Sequence, residues 1–161
     1  MADPVPRPIG DETQLREACD AVLAAARRRL YVLSQHLDTG LLDRPPVLDI
    51  LLRLIRRSRY TRLCILVKDS APAVRDGNRL IALHQRVPSR LPIHRLAEDF
   101  ADERRAFIVA DDHGWLLRPD GLAPAGEFAL GDRPGAAALA AAFEDLWARS
   151  GPDLALRRLD L

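Results

Sequence analysis

Three runs of apolar residues, each about as long as a β-strand, constrain the fold of this chain more than any other feature. They cover residues 30–37, 63–67 and 105–110, and helical patterns with apolar residues at three- and four-residue spacing lie between them. The run 63–67 is apolar throughout, which is typical of a strand covered on both faces. The alternation therefore predicts an α/β fold: a three-layer sandwich around a mixed, mainly parallel sheet, in which these three strands are adjacent and central.

Smaller signals divide the rest of the chain. Three prolines in residues 1–10 predict an extended N-terminal arm, and residues 11–161 have the length of a single domain. Four helices are predicted: one over 11–28 capped by Asp11, one opened by Asp43 and Pro45, one over 70–87, and one from Pro134 to about Arg149. The further strands are a short one over 93–96, a hairpin over 104–118 and an edge strand over 154–161. The Gly/Pro loop over 119–135 is long enough for a functional flap or for disorder.

Charge gives no strong indication of a partner. The chain has 24 Lys and Arg against 23 Asp and Glu, a net charge of +1, so we do not expect nucleic acid or an acidic membrane to be a partner. The triplet Arg27 to Arg29 ends the first predicted helix, where cations meet the negative end of the helix dipole. A nucleic-acid patch is the alternative explanation of this triplet, although such surfaces usually cluster many more basic residues.

The sequence predicts neither a membrane span nor secretion. No apolar stretch approaches the ~20 residues that cross a bilayer, and the N-terminal residues lack the features of a signal peptide. Cys19 and Cys64 lie in apolar patterns, which are typical of buried, reduced thiols. We therefore expect a cytoplasmic protein.

Polar residues follow the first two predicted strands. His36 and Asp38 lie where the first strand leaves the sheet, and Lys68 and Asp69 follow the second strand. Ligands of open α/β folds bind at these carboxyl ends, so the four side chains predict a polar rim. Ser34, His36 and Asp38 are also the residue types of a hydrolase triad. Residues two apart on one strand are ~6.6 Å apart, however, which is too far for a nucleophile and its base.

The turn of the hairpin offers a second group of polar side chains. Asp111, Asp112 and His113 include metal-ligand types, but a tight turn favours Asp and Gly for backbone reasons, and no matching His or Cys pair has ligand spacing. The chain also lacks a Gly-rich phosphate loop, a Gly-x-Ser-x-Gly elbow and a His-Glu-x-x-His helix. We therefore predict no metal and no cofactor.

Four segments follow the predicted order of strands and helices: RRRLYVLSQHLD, RLCILVKD, NRLIALHQRVPSRLPIHRL and RRAFIVADDHGWLLRP. Taken in order, they resemble one half-unit of the phospholipase D-like fold. They also resemble an uncharacterised bacterial family of single-domain proteins of that shape, whose members are expected to sit behind acetyltransferase domains. The resemblance covers the chain from about Leu15 to Trp147.

The resemblance implies where a catalytic motif would stand. Catalytic relatives carry His-x-Lys-x(4)-Asp in such a strand and turn: the histidine attacks phosphorus, the lysine stabilises the phosphoryl oxygens and the aspartate completes the signature. If Asp111 is set on this aspartate, Arg104 takes the histidine position and Ala106 the lysine position.

The alternative register also lacks a nucleophile. If Asp112 is set on the aspartate, Arg105 and Phe107 take the other two positions. Guanidinium stays protonated and cannot replace histidine in either register. Lys68 is the only lysine of the chain and Leu66 stands two residues before it, so the chain contains no His-x-Lys.

The resemblance and the missing motif together predict a non-catalytic binding or regulatory module in a bacterial cytoplasm. Such half-units commonly pair across the face of the active sites, so we expect a homodimer, and an acetyltransferase is a candidate protein partner. The alternative is a phosphoesterase that rebuilt its site from His36, Asp38, Lys68 and the arginines. Arg104 and Arg105 are also candidates for an anion site with Lys68 as a second cation, although alternation along a strand lets at most one of the two line the cleft. The predicted ligand site, at the anion position or in the cleft, consists of Arg104, Arg105, Asp111, His36, Asp38 and Lys68.

Overall fold

The computed structural model describes residues 5–157, which form one eight-stranded mixed sheet with helices on both faces. Residues 1–4 of the predicted arm and 158–161 of the predicted edge strand lie outside the described residues. The strands are β1 (Arg7–Ile9), β2 (Arg29–Ser34), β3 (Arg62–Val67), β4 (Ile93–Arg95), β5 (Ala106–Ala110), β6 (Gly114–Arg118), β7 (Gly126–Ala129) and β8 (Gly151–Pro152). The helices are α1 (Glu12–Ala25), α2 (Pro45–Arg57), α3 (Ala71–Asp76), α4 (Arg79–Arg86) and α5 (Arg133–Ala148), with 3₁₀ turns at Glu98–Phe100 and Leu154–Leu156.

The three apolar runs pair as predicted. The order across the sheet is β1-β7-β6-β5-β2-β3-β4-β8, so β5, β2 and β3 are adjacent and central. This confirms the three-layer α/β sandwich, but the expectation of a mainly parallel sheet needs correction. β2, β3 and β4 run parallel, whereas the other five neighbouring pairs of the described sheet are antiparallel. The chain leaves β5 and β6 through short connections, which can join only antiparallel strands.

Alternate residues of β2 show the layers. Leu30 and Val32 belong to the apolar cluster formed with α1, α2 and α4, whereas Tyr31 and Leu33 belong to the cluster formed with α5. Phe143 of α5 stacks on Tyr31 with the ring centroids 4.4 Å apart. Within the described residues, no helix is both long and apolar enough to span a bilayer.

Local sequence sets both ends of α1. The Asp11 carboxylate accepts a hydrogen bond from the N–H of Gln14 at 2.8 Å, and the Gln14 side chain accepts one from the N–H of Gly10 at 2.6 Å. Asp11 therefore caps the helix as an N-cap residue does, whereas Gln14 reaches one residue beyond the cap, to Gly10, so the pair is not a complete capping box. The helix ends at Ala25, short of the predicted end at residue 28, because Ala26 adopts an extended conformation.

Two helices replace the single one predicted over 70–87. α3 ends at Asp76 because Gly77 adopts a φ of 78°, and α4 begins after Asn78, whose side-chain oxygen accepts hydrogen bonds from two N–H groups of the next turn. Glycine tolerates positive φ and asparagine is a good helix N-cap. The sequence Asp-Gly-Asn therefore carried the signal for this break.

Two segments predicted to lie outside the sheet contain strands. The segment 119–135 was predicted to be a loop, but it contains β7, which pairs with β6 on one side and with β1 on the other. Residues 7–9 of the predicted arm form β1, an outermost strand of the sheet. The edge strand predicted over 154–161 is wrong in position, because β8 precedes it at Gly151–Pro152 and a 3₁₀ turn occupies Leu154–Leu156.

Candidate functional site

The chain turns sharply where β2 leaves the sheet. β2 ends at Ser34, three residues before its predicted end, and Leu37 and Asp38 then adopt positive φ values of 68° and 41°. Such conformations are uncommon for residues other than glycine, and they concentrate at functional sites. The backbone oxygen of Asp38 accepts a hydrogen bond from the N–H of Leu41 at 2.9 Å, which holds the turn. His36 and Asp38 therefore lie at the carboxyl edge of the sheet, just beyond the strand.

A buried ion pair fixes this turn to β6. Arg118 Nη1 donates to Asp38 Oδ1 at 3.1 Å, and Ser34 Oγ donates to Asp38 Oδ2 at 2.8 Å. The Arg118 and Asp38 side chains are only 7% and 16% exposed. The other guanidinium nitrogens donate to the carbonyl oxygens of Ala123 and Gly121, both at 2.9 Å. Each polar group of this buried pair has a partner, as a buried charge requires.

The same ion pair lines an open cleft of about 320 Å³. His36 is half-buried at its wall, and its imidazole makes no hydrogen bond to any residue from 5 to 157. His84 and His94, in contrast, bond the Leu91 carbonyl and the Ser150 hydroxyl through Nδ1. The polar and charged lining consists of Glu12, Arg16, His36, Asp38, Thr39, Asp76 and Arg118.

Lys68 and Arg105 lie at the same edge but are engaged with Glu103. Lys68 Nζ donates to the Glu103 carbonyl oxygen at 3.0 Å, and Gln35 Nε2 donates to the same oxygen at 3.1 Å. Arg105 Nη2 pairs with the Glu103 carboxylate at 2.7 Å. Burial acts to raise the pKa of Glu103, but the hydrogen bonds from Arg105 outweigh it and hold this pKa below its usual value. The same contact raises the pKa of Arg105.

Arg104 borders the cleft through its backbone. Its carbonyl oxygen accepts a hydrogen bond from the N–H of Gly121 at 2.7 Å, and Gly121 lines the cleft. A Cβ at residue 121 would lie 2.7 Å from Cγ of Gln35, so this close approach requires glycine. The Arg104 side chain is exposed, and neither it nor Arg105 lines the cleft.

Asp111 lies at the opposite edge of the sheet, because β5 runs antiparallel to β2. Its carboxylate accepts hydrogen bonds from the N–H groups of Arg27, Arg28 and Arg29 at 2.9, 2.8 and 2.9 Å. Burial acts to raise the pKa of Asp111, but these three donors outweigh it and lower the pKa. The structure thus separates Asp111 from the other predicted site residues and gives it a structural contact between the hairpin and the start of β2.

The remaining polar residues of the hairpin turn also lie at this opposite edge. Asp112 pairs with Arg133 at 3.1 Å, and both side chains are exposed. Within residues 5–157, no three His, Cys, Asp or Glu side chains come together as metal ligands would.

Neighbouring residues therefore hold the charged groups at this edge in fixed positions. Both carboxylate oxygens of Asp38 are occupied, and the ammonium group of Lys68 is directed at a carbonyl outside the cleft. His36 presents an imidazole to whatever enters. Sequence reasoning found His36 and Asp38 but missed Arg118, although an arginine that closes an otherwise apolar strand was a signal for a buried ion pair.

The fold is phospholipase D-like. Nuc, a phospholipase D family member from Salmonella typhimurium, is similar over 97% of this chain and 100% of its own, with a TM-score of 0.67 and 13% sequence identity. TrmBL2, an archaeal chromatin protein with a novel mode of DNA binding, is similar over 92% of this chain, with a TM-score of 0.64 and 10% identity. This chain spans 54% of the archaeal protein's length. At such identities the likeness concerns the fold alone.

The chain belongs to the family described as a domain of unknown function (DUF7931), whose model matches residues 11–159. No curated protein matches the chain.

Proposed function

We propose that the chain is a non-catalytic phospholipase D-like module that binds a ligand at the carboxyl edge of its sheet. The observation that carries the proposal is the start of β5, the strand that the resemblance assigns to the catalytic signature. Arg104 and Ala106 stand there at the histidine and lysine positions when Asp111 is set on the aspartate. A guanidinium stays protonated, so it can bind a phosphate but cannot attack one.

The neighbouring groups support binding rather than turnover. Nucleophilic catalysis by His36 would need a cation that is free to contact the phosphoryl oxygens. Lys68 Nζ instead donates to the Glu103 carbonyl and does not line the cleft. The two arginines that line the cleft are also paired, Arg118 with Asp38 and Arg16 with Glu12. Asp38 is committed to Arg118 and Ser34, so it is not available to orient an imidazole.

The ligand of this module is an anion, in our proposal. Arg104 is exposed beside the cleft, and a planar guanidinium suits bidentate binding of phosphate or carboxylate. Arg105 is held by the Glu103 carboxylate, which already occupies the place that such an anion would take. A ligand that reaches Arg105 must therefore displace Glu103, whereas one bound by Arg104 need not.

We further propose that the module works as a homodimer in a bacterial cytoplasm, with an acetyltransferase as its protein partner. The dimer contact would lie across the carboxyl edge, where phospholipase D-like half-units commonly pair. Leu122 supports this placement because it lines the cleft and yet is 67% exposed. A twofold contact across this edge would bury the Leu122 side chain against the partner copy.

Sedimentation velocity tests the dimer. The Leu122→Asp variant should shift wild-type dimer to monomer, because the new charge would be buried in a twofold contact. Leu130→Asp is the matched control, since Leu130 is 47% exposed and does not line the cleft. A wild-type protein that is monomeric at every concentration, or equal dissociation of both variants, would contradict the dimer.

A phosphoesterase with a rebuilt site is the second candidate function. The positive φ values of Leu37 and Asp38, directly after His36, favour it, because strained backbone concentrates at active sites. Its residues would be His36, Asp38, Lys68 and the nearby arginines.

Hydrolysis assays separate the two candidates. Purified protein is incubated with bis(p-nitrophenyl) phosphate, phospholipid vesicles and DNA, and product release is compared with that of His36→Ala and Lys68→Ala. We expect no turnover above the buffer rate for any of them. Turnover that persists through purification and is lost in either variant would establish the enzyme. Thermal-shift titration of the same proteins with inorganic phosphate then measures anion binding, for which Arg104→Ala should lose the stabilisation.

A further inference from the structure

Six exposed arginines form a continuous surface at the edge of the sheet opposite the cleft. We call this surface the arginine edge. It combines the connection between α1 and β2 with the end of α2 and the turn after it. Arg57 lines one depression with Arg27 and Arg28 and a second depression with Arg53 and Arg56. The arginines that precede β2 therefore adjoin those of α2. The six residues are Arg27, Arg28, Arg53, Arg56, Arg57 and Arg59.

The charge of the arginine edge is not compensated. Eight other arginines of the described chain lie within 4.0 Å of a carboxylate oxygen, whereas these six, like the remaining described arginines, do not. Three acidic residues line its depressions. Asp111 accepts three backbone N–H bonds and Asp112 pairs with Arg133, while Asp49 of α2 makes no ion pair within residues 5–157 and is the one carboxylate beside Arg53, Arg56 and Arg57 in their depression. Without the six arginines the chain would have 18 basic against 23 acidic residues. The small net charge therefore conceals a strongly polarised distribution.

Helix ends alone do not explain this cluster. Cations often cap the last carbonyl groups of helices, and here two arginines already do so. Arg27 Nη1 donates to the carbonyl oxygens of Ala24 and Ala26, and Arg90 Nη2 donates to those of Ile55 and Ser58. The remaining arginines at these two helix ends are therefore not needed as caps.

The third arginine of the sequence triplet does not belong to the surface. The Arg29 side chain turns inward, where its Nη2 donates to the backbone oxygen of Asp111 at 2.7 Å and its Nη1 lies 3.9 Å from the Glu144 carboxylate. The surface therefore depends on α2 as well as on the triplet, a combination that the sequence does not show.

An exposed aromatic ring borders the arginines. Tyr60 is 77% exposed and lines the same depression as Arg27, Arg28 and Arg57. The Arg59 guanidinium lies 4.9 Å from the centroid of the Tyr60 ring and donates to its hydroxyl at 2.7 Å. A ring supported by a cation on one face and open on the other offers a platform on which a nucleic-acid base can stack.

We propose that the arginine edge binds single-stranded nucleic acid, with phosphates along the arginines and an unpaired base on Tyr60. Positive grooves combined with stacking aromatics are the usual means of binding single strands. The arginines line connected depressions, which suit a flexible strand better than the plane of an anionic bilayer. This surface is separate from the cleft, so the proposal stands independently of the cleft's ligand.

Fluorescence anisotropy with fluorescein-labelled dT20 tests the proposal. Wild-type protein should bind dT20 more tightly than a duplex of the same length. The affinity should fall as salt is raised from 50 to 200 mM. Removing two phosphate contacts in Arg56→Ala/Arg57→Ala should reduce the slope of log K against log salt concentration by about 1.4. Tyr60→Ala should weaken dT20 binding by roughly 5- to 150-fold, and Tyr60→Phe should retain most of it.

Matched variants control for general charge and for folding. Arg75→Ala/Arg79→Ala removes two exposed charges elsewhere and should bind dT20 as the wild type does. Arg28→Glu/Arg53→Glu provides a second test on different residues and should abolish binding. Absence of dT20 binding at 50 mM salt, equal losses in the Arg75/Arg79 control, or preference for duplex without an effect of Tyr60→Ala would overturn the proposal. So would arginine-dependent binding to phosphatidylserine vesicles when dT20 does not bind.

Discussion

The two edges of the sheet differ in how most of their arginines are paired, with the exposed Arg104 at the carboxyl edge and the Arg133–Asp112 pair at the opposite edge as exceptions. At the carboxyl edge, Arg118 and Arg105 are held by Asp38 and Glu103. At the opposite edge, where β2 and β3 begin and which we call the amino edge, the six arginines of the arginine edge project into solvent. No carboxylate of residues 5–157 lies within ion-pair distance of them. Paired arginines fix backbone turns in place, whereas unpaired ones keep their charge for a partner. Residue type alone therefore does not locate a binding surface, because the neighbouring acidic groups decide it.

The largest expected effect is at the buried pair of the carboxyl edge. Arg118→Leu should destabilise the fold by about 3–5 kcal/mol, because it leaves the buried Asp38 carboxylate without its cation. Urea denaturation measures this loss as a lower midpoint. Arg133→Leu breaks the exposed pair with Asp112 at the amino edge and should cost less than about 1 kcal/mol. Similar costs for the two variants would mean that the Arg118 pair is not buried in solution.

The next effect concerns the structural contact of the amino edge. Asp111→Ala should cost about 2–3 kcal/mol, because three backbone N–H groups lose their acceptor. Asp111→Asn should cost about half as much, because asparagine keeps one acceptor and tolerates the φ of 53° at this residue. Denaturant titration of both variants checks the order. Equal stability of Asp111→Ala and wild type would exclude the structural role.

Removing the Glu103 charge should leave Arg105 unpaired at the carboxyl edge, as the six arginines of the arginine edge are. Glu103→Gln removes the paired charge but leaves the Glu103 backbone carbonyl that binds Lys68 and Gln35. We expect a cost of about 1 kcal/mol or less for this partly exposed pair, together with stronger stabilisation by inorganic phosphate in a thermal-shift titration. Glu98→Gln, a substitution of another Glu near the same edge, provides the control. Phosphate stabilisation that is unchanged in Glu103→Gln would show that Arg105 is not part of an anion site.

The smallest effect is the dependence of stability on acid pH. The pKa values of Glu103 and Asp111 are both lowered in the folded protein. Each carboxylate therefore stabilises the fold above its unfolded pKa of about 4, and this contribution is lost as pH falls through the lower folded value. Thermal unfolding between pH 7 and pH 2 should show a shallower loss of stability in Glu103→Gln and in Asp111→Asn than in wild type. If stability fell with pH equally in the wild type and both variants, these carboxylate contacts would not stabilise the fold.

Much of the fold could be predicted because its centre depends on local apolar pattern. β5, β2 and β3 are buried along almost their whole length, so their runs indicated both strand and position. β7 could not be found in the same way, because it is mostly half-exposed and begins with a glycine in a Gly/Pro-rich segment. Its formation depends on pairing with β6 and β1, which are distant in sequence.

The candidate site was predictable only where it follows a strand end. His36 and Asp38 could be placed at the carboxyl edge because the rule for α/β sheets fixes that location. Their contact with Arg118 arises 80 residues along the chain and depends on the turn at Asp38, which no local pattern indicated. Asp111 was grouped with them because it belongs to the same motif, although antiparallel pairing carries it to the other edge.

The most direct test of the non-catalytic account is a search for a covalent intermediate on His36. The protein is incubated with a phosphodiester, quenched under alkaline conditions in which phosphohistidine survives, and examined by intact-mass and peptide mass spectrometry. The account predicts an unmodified mass, because His36 has no lysine beside it and Asp38 is held by Arg118 and Ser34. A phosphoryl adduct on the peptide that contains His36, absent from His36→Ala, would contradict it.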